Sequence, residues 1–376
     1  MIPFFKIHYD NRELASVTKV IKSGNLSMGK KTQLFENELE KKLRLKKNNI
    51  AAVSNCTVAL HLALVSSGVR PGDEVLCSSL TFVADANCIR YVGAKPVFVD
   101  INSGNDLNIS IENLKKKFTK KTKAIIMTHY AGFPCDIEAI RKIANERNLT
   151  LIEDACHTIF SKYKKKYFGT YGDYGVFSLY GNKNITTGEG GLIISNQKNI
   201  KKIKKLRNHG IEKSIQERFQ QKNPVYEIKN LGYNYRYDDI RSAIAIEQLK
   251  KIDFINYRRK QIANNYRKLI KKKLSNIIIP FEKYFSEDFS YHLFVIILPK
   301  EIDRNKLIKF LFKEGIETSV HYQPIHKFKL YHRNKFKLKN LDMIYKRILS
   351  LPIYPDLKLS EQKKIISKIE DYAKKQ

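Results

Sequence analysis

Cysteine is scarce in this sequence, and its spacing excludes several kinds of site. The 376 residues include five cysteines, an odd number with no C-x-x-C pair and no ligand-like spacing to histidine. We therefore expect no disulfide framework and no metal site. Reduced thiols of this kind are typical of a cytoplasmic protein. The cysteines are Cys56, Cys77, Cys88, Cys135 and Cys156.

Long apolar runs are absent as well. The longest ones, such as residues 294–298, have the length of a strand, and the first residues lack the apolar core of a signal peptide. We therefore expect neither a secretion signal nor a membrane span. We find no internal repeat and no low-complexity linker. The length allows two or three domains of about 100–200 residues each.

Acidic residues are few relative to basic ones. The chain has 70 Lys plus Arg and 37 Asp plus Glu, which gives a formal net charge of +33. Such a charge can indicate a polyanionic partner such as nucleic acid. The lysines are scattered along the whole chain, however, and no basic arm or known nucleic-acid motif concentrates them. We therefore expect a compositional bias that favours anionic substrates, and no nucleic-acid partner.

One lysine differs from the others in its surroundings. Lys183 follows a short apolar strand at residues 177–179 and precedes a glycine-rich turn at 186–191 and a second apolar run. A buried amine loses the solvation of its charged form, so its pKa falls and it can form a Schiff base with a carbonyl compound. The alternative is a surface lysine in a Gly/Thr hairpin, which this tract alone does not exclude.

An acidic residue ends another apolar strand upstream. Asp154 follows the run at residues 150–153, and polar groups at the carboxyl ends of parallel strands face the ligand crevice. A carboxylate there can keep the pyridine nitrogen of pyridoxal 5′-phosphate (PLP) protonated, which makes the ring an electron sink. Asp154 taken alone could equally be a helix N-cap.

Four tracts between residues 151 and 324 carry a family resemblance. They are LIEDACH at residues 151–157, FSLYGNKNITTGEGG at 177–191, LGYNYR at 231–236 and VHYQP at 320–324. Together they resemble the PLP-dependent nucleotide-sugar aminotransferases of the DegT/DnrJ/StrS group. The resemblance implies the α/β architecture of PLP-dependent transferase fold type I. A large PLP-binding domain, residues 1–250, would contain a mostly parallel seven-stranded sheet, and residues 251–376 would form a small α+β domain.

The alternation of strands and helices also predicts a mostly parallel sheet. Among the predicted strands are residues 74–77, 96–99 and 123–128, and separate helices are predicted from residue 238 through Leu249 and at about 253–273. A loop without periodic signals is predicted at 209–230, where it would be functional or cover a partner subunit. The carboxyl-terminal part is predicted to contain strands at 291–298 and 317–320 and helices at 303–313, 341–349 and 359–374.

The resemblance implies roles for residues around the cofactor ring. Lys183 would form the Schiff base and later move a proton, and Asp154 would pair with the pyridine nitrogen. Phe82 matches the residue that stacks on the ring, although alone it would more often be a core residue. His157 matches a contact of the ring hydroxyl, with a purely structural histidine as the alternative.

The cofactor phosphate would be held by a second group. A strand, a polar turn and a helix start at residues 49–58 leave backbone N–H groups free for an anion. Thr57 matches a phosphate ligand, with an ordinary N-cap as the alternative, and Cys56 stands where the family commonly has glycine. Ser178 matches the phosphate-binding serine. Asn234 matches an asparagine that reaches the phosphate from a neighbouring subunit, which implies a homodimer with shared active sites.

The substrate side is less explicit. Asn25 ends the first predicted helix just before a loop that resembles the family's entry loop near the sugar. His321 and Tyr322 resemble the tail segment near the sugar, with a capping or interface role as the alternative. Arg236 would bind either a donor carboxylate or the nucleotide diphosphate.

The implied reaction moves an amino group from glutamate to a nucleotide-linked 4-keto-6-deoxy sugar. The product would be an amino sugar for a lipopolysaccharide, another surface polysaccharide or a glycan. Lysine at position 183 favours amino transfer, because relatives with histidine there carry out dehydration or deoxygenation. TTGEGG together with NYR resembles the subgroup acting on 4-keto sugars. The alternatives are a 3-keto sugar aminotransferase, a PLP-dependent sugar dehydratase, amino-acid-type transamination and a non-enzymatic binding protein.

Overall fold

The strands form one large sheet and two small ones in the computed structural model, which describes residues 1–211, 225–332 and 336–375. The strands of the described residues are β1 (Ile50–Val53), β2 (Glu74–Ser78), β3 (Lys95–Val99), β4 (Thr122–Thr128), β5 (Thr150–Asp154), β6 (Lys162–Tyr163), β7 (Lys166–Tyr167), β8 (Tyr174–Ser178), β9 (Gly191–Ile194), β10 (Phe294–Ile297) and β11 (Ile348–Leu351).

The large sheet has the strand order β1-β9-β8-β5-β4-β2-β3. Strands β3, β2, β4, β5 and β8 pair in parallel, whereas β9 runs antiparallel to both β8 and β1. Most of these strands are buried along their whole length, which explains their continuous apolar sequences. The predicted mostly parallel seven-stranded sheet in an α/β fold is confirmed.

Helices cover the sheet and connect most of its strands. Short 3₁₀ turns lie at Tyr130–Gly132, Glu282–Tyr284, Ile325–Lys327 and Tyr345–Arg347. The α-helices of the described residues are α1 (Asn11–Ser23), α2 (Lys30–Lys42), α3 (Cys56–Ser66), α4 (Ala84–Tyr91), α5 (Ile111–Lys115), α6 (Ile137–Glu146), α7 (Gln197–Leu206), α8 (Asp239–Lys273), α9 (Arg304–Lys313), α10 (Lys339–Ile344) and α11 (Leu359–Ala373).

Helix α8 is one continuous helix of 35 residues, where two helices were predicted. Its N-cap is Asp238, whose side chain accepts the N–H of Arg241 at 2.8 Å. The helix packs against α1, α2 and α11. The break that the sequence indicated near residue 250 does not interrupt the helix, because apolar positions such as Leu249, Ile252 and Ile255 remain buried against these neighbours. The boundary predicted at residue 250 falls inside α8 and stays a prediction.

The carboxyl-terminal part differs from the prediction in two places. Residues 348 and 349, predicted as the end of the helix at 341–349, belong instead to strand β11, which pairs antiparallel with β10. Both strands are fully buried, and this pairing outweighs a helical pattern that is ambiguous over so short a run. The strand predicted at 317–320 is reduced to isolated bridges at Ile316 and Ser319.

Two further expectations concern the limits of the description. The loop predicted at residues 209–230 lies mostly in 212–224, outside the described residues. Within the described ranges, no helix combines the length and the apolar character that crossing a membrane requires.

Candidate active site

A cavity of about 670 Å³ lies where β5 and β8 end and where α3 begins. Ligands of parallel α/β sheets bind at this edge, because strand ends and helix starts converge there. Of the residues that the sequence predicted for the site, those lining the cavity are Cys56, Thr57, Phe82, Asp154, His157, Ser178, Lys183, His321 and Tyr322.

Lys183 lies in the loop that joins β8 to the antiparallel strand β9. The loop is closed at its base, because Leu179 donates its N–H to Gly190 O at 2.9 Å and Thr187 donates its own to Leu179 O at 3.0 Å. The N–H of Lys183 donates to Tyr180 O at 2.9 Å. This fixed backbone directs a half-buried lysine side chain into the cavity.

The same loop shapes the turn that precedes α3. Asn55, rather than Thr57, is the N-cap, and its Oδ1 accepts the N–H of Val58 at 3.1 Å. Cys56 and Thr57 are the first two residues of α3, so no preceding helical turn offers an acceptor for their N–H groups. These two residues line the cavity. Strand β9 passes so close that a Cβ at Gly191 would lie 2.4 Å from the carbonyl carbon of Asn55. Glycine in the lysine tract thus permits the close approach.

Two thiols face each other beside this turn. The Sγ atoms of Cys56 and Cys156 are 2.9 Å apart, and both lie with the Asp154 carboxylate in a group whose ligand atoms are within 4.8 Å of one another. Burial raises the pKa of Cys156 well above its usual value, so its thiol stays protonated. The expectation that the site holds no metal stays a prediction.

The cavity contains two neighbouring acids. Asp154 ends β5, and its Oδ1 accepts the N–H of Cys156 at 2.9 Å. Asp85 on α4 is fully buried, and its Oδ2 accepts the hydroxyls of Thr81 at 3.0 Å and Thr128 at 2.6 Å. Burial, and next the negative charge of Asp154, raise the pKa of Asp85 well above its usual value. The protonated form of Asp85 is therefore favoured.

Asp85 was missed in the sequence analysis. An acid in the first turn of a helix is ordinarily explained by the helix dipole, and that is where Asp85 stands on α4. The informative contact is with Thr128, 43 positions further along the chain on β4. The only local signal is that α4 follows a buried strand, whose carboxyl end belongs to the ligand edge of the sheet.

Two buried histidines, His157 and His292, pack against each other beside Lys183. His157 accepts the N–H of Ala131 at Nδ1 (3.3 Å), so the proton of the neutral ring is on Nε2, 3.0 Å from the Tyr322 hydroxyl. The ring of His292 is 4.4 Å from that of His157, and its Nε2 is 3.5 Å from Lys183 Nζ. Burial, and next the charge of Lys183, lower the pKa of both histidines well below the usual value. His292 was missed because it is 109 positions from the lysine.

His321 lies at the far side of the cavity. Its Nδ1 is 3.0 Å from Ser350 Oγ, and its ring stacks on Phe4 at 5.4 Å. Burial, and next the charge of Lys183, lower the pKa of His321 to about 3, so its ring is neutral. His326, the next histidine of this segment, is buried between Ser79 and Asp342 and does not line the cavity.

Three predicted site residues do not line the cavity of their own chain. Asn25 is exposed in the turn after α1, where its Nδ2 donates to Ser23 O at 3.3 Å. Asn234 is exposed, and its Oδ1 accepts from Arg236 Nε at 3.1 Å. Their roles stay predictions, and those of Asn234 and Arg236 would require a second subunit.

Comparisons with known proteins match the whole architecture. The model of the DegT/DnrJ/EryC1/StrS aminotransferase family matches residues 8–370. The spore coat polysaccharide biosynthesis protein SpsC of Bacillus subtilis (strain 168) is 36% identical over 373 residues, which cover 96% of this chain and 94% of SpsC.

Two solved structures show the same fold. Helicobacter pylori PseC, an aminotransferase involved in the biosynthesis of pseudoaminic acid, has a TM-score of 0.91 at 29% identity, with 100% of both chains covered. NtdA from Bacillus subtilis, with bound cofactor PMP, has a TM-score of 0.88 at 28% identity, covering 100% of this chain and 85% of NtdA.

The predicted transferase fold type I is confirmed by these superpositions, and the predicted family by a match over nearly the whole chain. A lysine in a cavity that also holds a strand-end acid and an open helix start is the arrangement that the sequence analysis predicted. The chain is therefore an aminotransferase, and it belongs to the DegT/DnrJ/EryC1/StrS aminotransferase family.

Proposed function

We infer that the chain is a sugar aminotransferase that uses PLP, and we propose that it transfers the amino group of glutamate to a nucleotide-linked 4-keto-6-deoxy sugar. The observation that carries this proposal is that Lys183 and Asp154 line one cavity together with the open start of α3. When bound, PLP supplies the carbonyl group that takes up the amino group and a ring that delocalises an electron pair.

The donors at one end of the cavity fit a phosphate. The N–H groups of Cys56 and Thr57 open α3, and the positive end of the helix dipole favours an anion there. The hydroxyls of Thr57 and Ser178 line the same part of the cavity. We assign the cofactor phosphate to these groups, with the backbone rather than the thiol of Cys56 as the contact.

The acids and the aromatic ring fit the pyridine. The Asp154 carboxylate would pair with the protonated ring nitrogen. Because the protonated form of Asp85 is favoured, Asp85 would not compete for that interaction. Phe82 lines the cavity although its side chain is 58% exposed, which suits a flat ligand face more than a core position. The hydroxyl hydrogen of Tyr322 is free to point into the cavity, since the oxygen accepts from His157 Nε2. We assign this His157–Tyr322 pair to the ring hydroxyl.

Lys183 would carry the protons of the reaction. Its amine would bind the cofactor carbonyl and, once displaced by the amino donor, would act as the base that moves a proton between carbon atoms. We expect the purified protein to be yellow and its visible band to shift when glutamate is added. A colourless protein that takes up no added PLP would contradict the enzyme assignment.

We also propose a homodimer with shared active sites. Asn234 and Arg236 lie outside the cavity of their own chain, and four large side chains near the cavity mouth or near Asn234 are highly exposed, which is typical of an interface. They are Phe82 (58%), Tyr91 (61%), Tyr180 (51%) and Leu231 (84%).

Mixed dimers test the shared site directly. Lys183→Ala and Asn234→Asp should each abolish turnover, whereas a mixed dimer contains one site with both residues intact. Co-expression of the two variants should therefore restore about a quarter of wild-type turnover. Light scattering checks that dimers form in every sample. A fully active monomer, or no recovery in confirmed mixed dimers, contradicts the shared site.

The substrate class needs its own experiment. Asn25, His321, Tyr322 and Arg236 are the residues that we assign to the sugar nucleotide or the donor carboxylate. We would incubate the protein with glutamate and a panel of 4-keto-6-deoxy and 3-keto nucleotide sugars, and identify the products by mass and NMR. Amination of 3-keto sugars alone contradicts the 4-keto assignment, dehydration indicates the alternative reaction, and transfer only to amino-acid keto acids contradicts the sugar assignment.

We place the reaction in the cytoplasm, where it would supply an amino sugar for the assembly of a surface polysaccharide, a lipopolysaccharide or a glycan. The support is that all five cysteines are free thiols, even Cys56 and Cys156, whose sulfur atoms are in contact. Free thiols are typical of a reducing compartment. Fractionation of cells that express the tagged protein tests this, and recovery with secreted or membrane material contradicts it.

A further inference from the structure

Asp85 is a buried acid that no sequence motif explains, and it lies beside the acid that we assign to the cofactor ring. It is 1% exposed and lines the cavity. We infer that Asp85 is a positioning residue for the proposed reaction: its carboxyl group donates a hydrogen bond to Asp154 and so holds that carboxylate for the ring nitrogen of PLP. The inference rests on the proposed pairing of Asp154 with that nitrogen.

The sheet places Asp85 and Asp154 next to each other. Thr128 and Asp154 end the neighbouring parallel strands β4 and β5 and are partners in their register, so their side chains lie on the same face of the sheet on strands about 4.8 Å apart. Asp85 on α4 accepts the hydroxyl of Thr128 at 2.6 Å. A carboxyl group bound to Thr128 therefore reaches the neighbouring acid, and the side chains of Asp85 and Asp154 are in hydrogen-bond contact.

Two carboxyl groups in contact share one proton, because two negative charges so close repel each other. The surroundings favour the proton on Asp85. Among the described residues, no N–H group or cation contacts its carboxyl oxygens, whereas Asp154 Oδ1 accepts the N–H of Cys156 at 2.9 Å. Burial, and next the charge of Asp154, raise the pKa of Asp85 well above its usual value. The hydrogen bond between the two acids therefore runs from Asp85 to Asp154.

Two threonine hydroxyls determine which oxygen of Asp85 carries the hydrogen. Thr81 and Thr128 both contact Oδ2, at 3.0 Å and 2.6 Å. Neither hydroxyl has another acceptor in the described part of the chain, so both donate, and together they occupy the two lone pairs of Oδ2. The acid hydrogen is then on Oδ1, which is the oxygen that remains for Asp154.

This hydrogen bond suits the task that we assign to Asp154. A hydrogen bond to the charged form of an acid favours that form, so Asp85 stabilises the carboxylate that would pair with a protonated ring nitrogen. It also holds the carboxylate in one orientation before PLP arrives. A cation in place of Asp85 would neutralise Asp154 and compete with the ring, whereas a neutral acid leaves the negative charge available.

The experiment measures the dissociation constant of PLP for the cofactor-free protein by absorbance titration. We expect Asp85→Leu to raise this constant by about tenfold, because leucine cannot donate to the Asp154 carboxylate. Asp85→Asn should bind PLP nearly as tightly as wild type, since its oxygen accepts the two hydroxyls and its amide nitrogen donates in place of the acid. Asp106→Leu makes the same exchange in a half-buried acid that does not line the cavity and should not weaken PLP binding.

A double-mutant cycle with Asp154 separates positioning from packing. Asp85→Leu also leaves two threonine hydroxyls without an acceptor, and that structural loss does not depend on Asp154. If Asp85 acts through Asp154, adding Asp85→Leu to Asp154→Asn should weaken PLP binding little further. Equal weakening in both backgrounds would show a packing effect and contradict the inference.

Thr128 keeps the test decisive if Asp85→Leu does not fold, as judged by circular dichroism. Thr128→Val removes a hydroxyl that holds Oδ2 of Asp85 and should raise the PLP dissociation constant by about threefold or more. Thr128→Ser keeps the hydroxyl and should bind PLP like wild type. Equal binding by the two Thr128 variants contradicts the inference.

The outcomes also separate the inference from the proposed function. NMR of bound PLP, isotopically labelled at the ring nitrogen, shows whether that nitrogen is protonated. We expect a protonated nitrogen in wild type that loses its proton in Asp154→Asn. If wild type binds no PLP, or if both proteins give the same signal, the proposed pairing fails. If the pairing holds and folded Asp85→Leu binds PLP like wild type, only the inference is wrong.

Discussion

Two lysines are drawn away from solvent in different parts of the molecule, and their surroundings are opposite. Lys251 on α8 has a side chain that is 3% exposed and forms ion pairs with Glu13 at 2.6 Å and Asp10 at 2.9 Å. Lys183 projects into the cavity, where, among the described residues, it has no ion pair with a carboxylate and its Nζ faces His292 Nε2.

The difference shows that the partner, more than burial, decides what a sequestered lysine does. A carboxylate stabilises the ammonium form and holds it in one place, so Lys251 links α8 to the start of α1. A neutral imidazole accepts a hydrogen without adding a negative charge, so Lys183 remains available for reaction. Burial alone would rank Lys251 as the more unusual lysine of the two.

The largest effect should follow from removing the reactive lysine. We expect Lys183→Ala to lose turnover by about 10³-fold or more, because both the covalent attachment and the proton carrier are lost. The folded state should be unaffected, as measured by circular dichroism and thermal unfolding. Product formation is measured by mass. Substantial turnover in this variant would show that Lys183 is not the reactive lysine.

Asp154→Asn tests whether the acid of the cavity serves a ligand rather than a lysine. We expect the variant to retain bound PLP and to lose turnover by about 10²-fold, because a ring that is not held protonated is a weaker electron sink. Absorbance of the purified protein measures retention, and product formation measures turnover. Unchanged turnover would remove Asp154 from this role.

Lys251→Met tests the structural lysine. Methionine keeps most of the volume but leaves the Glu13 carboxylate without its cation, so we expect the free energy of unfolding to fall by about 2–3 kcal/mol. Turnover at 25 °C should be close to wild type. Lys250→Met is the matched control: its exposed pair with Glu247 should contribute less than about 1 kcal/mol. Urea unfolding measures both variants. Equal losses of unfolding free energy would show that the buried pair with Glu13 contributes no more than the exposed pair with Glu247.

The smallest effect concerns the second acid of the cavity. The pKa of Asp85 is raised in the folded state, so its contribution to stability is full below its unfolded pKa and is lost as the pH rises through the folded value. Asparagine accepts the same threonine hydroxyls and never ionises. We expect the Tm of cofactor-free Asp85→Asn to exceed that of wild type by about 2–4 °C at pH 7.5, with little gain near pH 4. An equal gain at both pH values would contradict a protonated Asp85.

The parts of the site that stand at strand ends could be predicted from the sequence. Asp154 and Ser178 end the strands β5 and β8, and Lys183 follows the end of β8 by five residues. The order of strands and helices brings such ends to one edge. The same reasoning failed for residues 348 and 349, where a short apolar run suits a strand as well as a helix and only pairing with β10 decides.

The rest depends on contacts between distant parts of the chain. Asp85 is informative only because Thr128 donates to it, and His292 only because the loop before β10 returns to Lys183. Asn184 is next to the lysine in the sequence, but its contact with His292, 108 positions away, depends on the fold. Asn25, Asn234 and Arg236 are not explained within a single chain.

Gly191 lies where β9 meets the turn that opens α3, and a methyl group there would collide with the backbone of Asn55. Any replacement must therefore displace the turn that opens α3 or the strand that follows the lysine loop. In a mutational scan scored by activity, this glycine would rank with the catalytic residues, although it has no side chain that could contact a ligand. Such a scan would report a packing constraint as if it were chemistry.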